Sequence, residues 1–310
     1  MPLPTHARAS ESSSALRFLV FLVLGAAAGC HPGNTEAKRL RDACDSGDVS
    51  ACNRFAGKLE VGEYVLRDEP RAAALYERAC DGAVGDACAS RAVMFQRGIG
   101  GPRDSARAFT LLDRGCTRGA MDGCARLGVL YRRGAGVPRD DARAATLFRT
   151  SCDAGRMMGC AELATLYASG EVVGQDYAKA ATLFQQSCAD KVALGCVGLG
   201  KLHAAGTGVA QNDSIAASLY RKGCDGREPT GCTNLGVAFE NGRGVTLNYE
   251  RAAQLYRSSC DSRQGEACAR LAGLYDRGAG VRRQPERAES LRKRACELEY
   301  KDACTAAKGS

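Results

Sequence analysis

The chain has 310 residues, 45% of them hydrophobic and 6% aromatic, with a formal net charge of +8. Only three histidines are present, His6, His31 and His203, which excludes a Ser-His-Asp catalytic set and argues against a histidine-bearing zinc centre. Few aromatics and no basic cluster argue against nucleic acid as a partner; what is in excess is cysteine, seventeen in all.

The first segment reads as a leader. Leu16 to Gly29 is an apolar run behind Arg17, ending in small residues. It is too short for a membrane span of ~20 residues and fits a signal-peptide core, 1–29. Ala27-Ala28-Gly29-Cys30 resembles the bacterial lipobox, in which the cysteine is lipidated and becomes the mature N-terminus. Ala27 stands where that signal more often has Leu, and plain secretion with a free Cys30 thiol is the alternative. Residue 31 is His rather than Asp, which by resemblance to the enterobacterial sorting rule points to the outer membrane facing the periplasm. Residues 30–33 are then a tether, and 34–43 a capping helix.

From Cys44 onward one ruler governs the chain. Sixteen cysteines form eight C-x7-C pairs, each beginning 36 residues after the last. Such a period marks a solenoid of stacked units. Counted from the first cysteine of each unit, position 19 is Gly in all seven full repeats, from Gly62 to Gly278. Position 29 is always Ala and position 32 always Leu. Position 33 is aromatic or Leu until Arg292.

Each unit reads as two helices. In Met121 to Arg133, Cys124, Leu127, Leu130 and Tyr131 fall at helical spacing, and Gly134 stops the helix. A loop follows, then a second helix with Ala144, Leu147, Phe148 and Cys152 on one stripe. Asp140 or Asp141 caps its start and Gly155 follows its end. Small residues at position 13, such as Ala56, Gly128 and Gly200, let helices approach closely. Residues 296–304 supply a truncated last unit and 305–310 a tail, so the repeat domain spans 44–304 as one continuous solenoid of sixteen helices including the caps.

Reach decides the cysteine pairing. Residues eight apart in a continuous helix are ~12 Å from each other, whereas a disulfide needs Cα atoms within about 7 Å. C-x7-C therefore closes only where the chain turns back. The expected bridges are Cys44–Cys52, Cys80–Cys88, Cys116–Cys124, Cys152–Cys160, Cys188–Cys196, Cys224–Cys232, Cys260–Cys268 and Cys296–Cys304. Non-local pairing, such as Cys52 with Cys80, stays formally open. Removing Cys30 leaves an even number, as suits an exported chain in an oxidising compartment. The C-x7-C spacing does not suit zinc, so no metal and no cofactor is expected.

Units such as CARLGVLYRRGAGVPRDDARAATLFRTSCDAG resemble Sel1-like repeats, relatives of the tetratricopeptide repeat. With a cysteine pair in every unit, the chain resembles the Helicobacter cysteine-rich protein family. The resemblance carries the Gly at 19, the GxGV turn, the Ala at 29 and the Leu at 32; the first and fourth repeats lack the second Gly, and Arg91 stands where others have Leu or Phe. It implies an all-α fold, an α/α right-handed superhelical solenoid with a disulfide in each helix hairpin.

It also implies weak β-lactamase or penicillin-binding activity, or action on peptidoglycan fragments. A serine enzyme of that type needs S-x-x-K with S-D-N and K-T-G. Ser290-Leu291-Arg292-Lys293 is present and the other two are absent. The expected catalytic set is therefore none, and paired carboxylates such as Asp140 with Asp141 read as helix caps. The function expected is a monomeric scaffold binding a protein or peptide. Its candidate contacts lie on the first helices, which line the concave face in the resembling folds: Arg97, Arg126, Arg133, Asn234, Asn241 and Arg277. Arg132 and Arg270 add to the same basic face.

Overall fold

A computed structural model describes residues 32–306, all of whose elements are helices. The leader and Cys30 lie outside the described residues. Sixteen helices follow one another in hairpins. They are α1 (Pro32–Asp45), α2 (Val49–Val61), α3 (Glu69–Asp81), α4 (Gly85–Arg97), α5 (Ser105–Thr117) and α6 (Met121–Arg133). Next come α7 (Asp141–Asp153), α8 (Met157–Ser169), α9 (Tyr177–Ala189), α10 (Ala193–Ala205) and α11 (Asp213–Asp225). The last are α12 (Pro229–Asn241), α13 (Tyr249–Asp261), α14 (Gly265–Arg277), α15 (Pro285–Glu297) and α16 (Lys301–Ala306). The first helix takes in Pro32 and Gly33, which the sequence reading left in a tether.

The chain falls into two compact units, one ending at Ala120 and the other starting at Met121. A chain in which each repeat touches only its neighbours has few long-range contacts to prevent such a division. Within each unit, helices adjacent in sequence pack on each other.

The local signals explain the helix ends. Asp68, Asp104, Asp140, Asp176, Asn212 and Asn248 each accept a hydrogen bond from the backbone N–H three residues on, satisfying a donor that the first turn leaves open. Asp140 is thus the cap, and Asp141 pairs instead with Arg139 at 2.7 Å. Gln284 holds the same place in the last repeat and makes no such bond. The first helix of each repeat ends at the position-19 glycine, whose φ lies between 64° and 76°. That left-handed conformation suits glycine alone without strain.

The two departures noted in the GxGV turn have different outcomes. Tyr64 keeps the positive φ of the missing glycine, at 60°, and lays its ring against Gly33 of α1. Val172, its counterpart in the fourth repeat, is not among the positive-φ residues.

Seven bridges join the end of one helix to the start of the next, with Cα–Cα distances of 4.5–4.8 Å. Cys116 and Cys124 are disulfide-bonded as well. The core runs between the helices as Ala, Leu and aromatic rings, among them Phe55, Tyr76, Tyr131, Phe148, Phe239 and Tyr256. Phe148 and Tyr256 are wholly buried. Position 13 makes room for those rings. A Cβ on Gly128, Gly200 or Gly236 would come within 2.6–2.7 Å of Phe148, Tyr220 or Tyr256.

Candidate binding surface

The second unit orders its helices asymmetrically. Its first helices pack directly on one another, α6 on α8, α8 on α10 and α10 on α12, whereas the second helices do not pack together to that degree. The first helices therefore make the tighter, inner row of this unit. A 13-residue helix held between neighbours leaves one stripe open, spaced by three and four residues. Here it is positions 7, 11, 14 and 18. Arg133, Lys201, Asn241 and Arg277 are exposed on this stripe; Arg126 and Asn234 are half-buried. In the first unit, Arg97 is exposed at the end of α4.

The basic character expected of this face is largely neutralised from within. Arg277 Nη2 lies 2.8 Å from Glu240 Oε1, and Arg270 Nη1 lies 3.8 Å from Glu240 Oε2. Arg270 also reaches Glu266 at 2.8 Å. Arg132 pairs with Glu162 of the next repeat at 2.9 Å. Arg277 is thus an ion-pair partner as well as a surface residue. The sequence reading missed Glu162 and Glu240. Both would have emerged from comparing position 17 of one repeat with position 11 of the next, where the charges are opposite.

Glu162 is a carboxylate only 7% exposed. Burial raises its pKa, and Arg132 and Arg133 offset this only in part. The folded chain therefore binds a proton there more readily than the unfolded chain does. Stability is then lost as pH rises from the ordinary carboxylate value to the raised one. In Glu162→Gln, the fall in melting temperature between about pH 4 and neutrality should be smaller than in the parent. Arg132→Ala should act in the opposite sense, costing about 1 to 3 kcal/mol at neutral pH by leaving the buried carboxylate unpaired. Thermal unfolding across pH checks both.

Aromatics at position 16 are covered rather than open. Arg143 lies 5.0 Å over Tyr131, Lys179 5.5 Å over Tyr167, Arg251 5.6 Å over Phe239 and Arg287 4.9 Å over Tyr275. His203 holds this position in the fifth repeat. It is half-buried, and its Nδ1–H donates to the Ala210 carbonyl at 3.0 Å, tying the following loop. Arg91, the other departure, stacks 4.0 Å from Phe95 and pairs with Glu77 at 3.1 Å. Ser290 is exposed, and Lys293 pairs with Glu289 at 2.8 Å. No cluster of metal-ligating side chains occurs among the described residues.

Stacked helical hairpins with an inner row of partly exposed polar side chains define a helical repeat protein. Seven consecutive segments, residues 49–83, 85–119, 122–155, 158–191, 193–227, 229–263 and 265–300, match the Sel1 repeat, and the chain belongs to that family. Among solved structures it is similar to c5321, a protective antigen of uropathogenic Escherichia coli with an SLR fold. The two are 25% identical, with a TM-score of 0.54, over 88% of this chain and 60% of the other. The chain thus matches about 60% of that protein's length. A Sel1 repeat protein from Oxalobacter formigenes is 20% identical over 81% of this chain and 99% of its own, with a TM-score of 0.61. Helicobacter pylori cysteine-rich protein B is 27% identical over 44% of this chain and 98% of its own, with a TM-score of 0.35. No curated protein matches the chain.

Proposed function

We propose that the chain is a lipid-anchored scaffold of the bacterial envelope that binds a protein or an extended peptide along its inner row of helices. Sel1 repeat proteins typically mediate protein–protein interaction. The observation that carries the reading is the continuous row formed by α6, α8, α10 and α12, with an open stripe of Arg133, Lys201 and Asn241. Such a row offers hydrogen-bonding side chains at regular intervals, as suits an extended ligand. The bridged cysteines suit an oxidising compartment. The protective-antigen character of the Escherichia coli neighbour agrees with export. The lipid would sit on Cys30, and facing the periplasm from the outer membrane is its expected place.

Site-specific photo-crosslinking in the native envelope tests this. A crosslinker at Arg133 or Asn241 should trap the same partner, and one at exposed Lys222 on a second helix should not. Combined reversal of Arg126 and Arg133 to Glu should reduce that adduct at least about tenfold. Equal trapping from Lys222, or an adduct indifferent to the reversal, would remove the inner row as the binding face. Cys30→Ser should release the protein into the soluble fraction; unaltered fractionation would remove the anchor.

A further inference from the structure

Positions 17 and 33 face each other within a repeat and change together along the chain. In the first unit, the Tyr76 hydroxyl donates to Glu60 Oε2 at 2.9 Å. In the second unit, the Tyr256 hydroxyl donates to Glu240 Oε2 at 2.7 Å, and Arg270 from the next repeat closes on the same oxygen. The last repeat changes both partners at once, to Asp276 and Arg292, 2.5 Å apart. In these three repeats the hydroxyl or guanidinium at position 33 thus has its own carboxylate.

The fifth repeat breaks the rule on one side only. Tyr220 keeps its hydroxyl, and position 17 is Ala204. Where the carboxylate would lie is a cavity of about 90 Å³, lined by Ala204, Tyr220, Asn234, Val237 and Arg243 among others. Asn234 holds position 11 of the following repeat, the place of Arg270 one repeat on. Its Nδ2 is buried and has no hydrogen-bond partner among the described residues. Burial pushes the Tyr220 hydroxyl up to about 12, so it stays protonated and able to donate. Arg243 stands at the rim, half exposed, and gives Nε and Nη2 to Asp213 at 3.2 and 2.9 Å. The acid there is already paired.

We propose that this cavity receives a carboxylate from the bound peptide, seated where Glu240 lies one repeat further on. Two residues with donors line the space, Tyr220 and Asn234, and the buried Asn234 Nδ2 without an acceptor is costly to leave so. Arg243 balances Asp213, which also lines the cavity, and the net positive charge nearby comes from Lys201, exposed one turn back on α10. The volume exceeds several-fold the ~10–15 Å³ that one water needs, which leaves room for a carboxylate and its methylene. The inference rests on the inner row being the binding face, and it names the chemistry that this face reads.

The test uses the disulfide-bonded chain and three probes: acetyl-Ala-Glu-Ala-amide, acetyl-Ala-Gln-Ala-amide and acetyl-Ala-Ala-Ala with a free C-terminus. Each is titrated to about 10 mM, above the millimolar affinity expected of one such contact, while the Asn234 side-chain amide is followed by NMR. The Glu probe, the free C-terminus or both should shift that resonance, and the Gln probe should bind at least about tenfold more weakly. A shift with the Glu probe assigns a side-chain source, and a shift with the free carboxyl assigns a chain end. Ala204→Glu should abolish the response, because the chain then fills its own cavity, and should raise the melting temperature. Equal response to Gln, no response to either carboxylate, or undiminished binding by Ala204→Glu would overturn the proposal. Crosslinking from Asn241 that persists alongside such a failure would leave the scaffold reading standing.

Discussion

Reduction of the oxidised chain is expected to unfold it at room temperature. Each bridge spans a sequence separation of 8, and closing so short a loop stabilises by about 2 to 3 kcal/mol on the chain-entropy account. Seven such terms, about 14 to 21 kcal/mol together, match or exceed the roughly 5–15 kcal/mol by which a folded domain normally survives. The local case is Cys260→Ala combined with Cys268→Ala, whose side chains are 1% and 0% exposed. This variant should lose about 2 to 3 kcal/mol in urea denaturation. The loss should also stay local, because repeats stabilise one another only through their neighbours. Amide exchange should accelerate in α13 and α14 and remain slow in α8. Unchanged stability in the double variant would show that the bridges constrain nothing.

The second large effect lies at Tyr256, which is wholly buried. Its ring fills the space that Gly236 leaves open and packs within the cluster formed by Leu235, Leu271 and Leu274. Tyr256→Ala should cost about 3 to 5 kcal/mol, the transfer of the ring plus the cavity left behind. Tyr256→Phe keeps the ring and removes the donor to Glu240, whose side chain is only 14% exposed. Arg270 and Arg277 still hold that carboxylate, so about 1 kcal/mol is expected. Urea denaturation of the two variants separates packing from hydrogen bonding. If Phe costs as much as Ala, the buried network rather than the ring stabilises this repeat.

Much of the architecture was legible because the repeat prints the same instruction seven times. The position-19 glycine, the capping Asp140 and the helix Met121–Arg133 all stand where spacing put them. So do the local bridges, because reach alone excludes a continuous helix between the two cysteines. The division after Ala120 was not legible, since the repeat period runs through it without a mark. The candidate surface was only half legible. Sequence shows which residues lie on the first helix, but a charge is read one residue at a time. Arg277 and Arg270 looked like a basic face until Glu240 was placed between them. The relation joining Ala204, Tyr220 and Asn234 spans two repeats and is defined by a missing group, which no single-repeat alignment displays.

Local bridges hold each helical hairpin as a unit. Non-reducing peptide mapping of the protein taken from the bacterial envelope, with free thiols capped at lysis, tests it most directly. A bridged peptide is expected for every C-x7-C pair, together with a lipid on the peptide that begins at Cys30. Capped free thiols throughout, or bridges joining distant repeats, would contradict it.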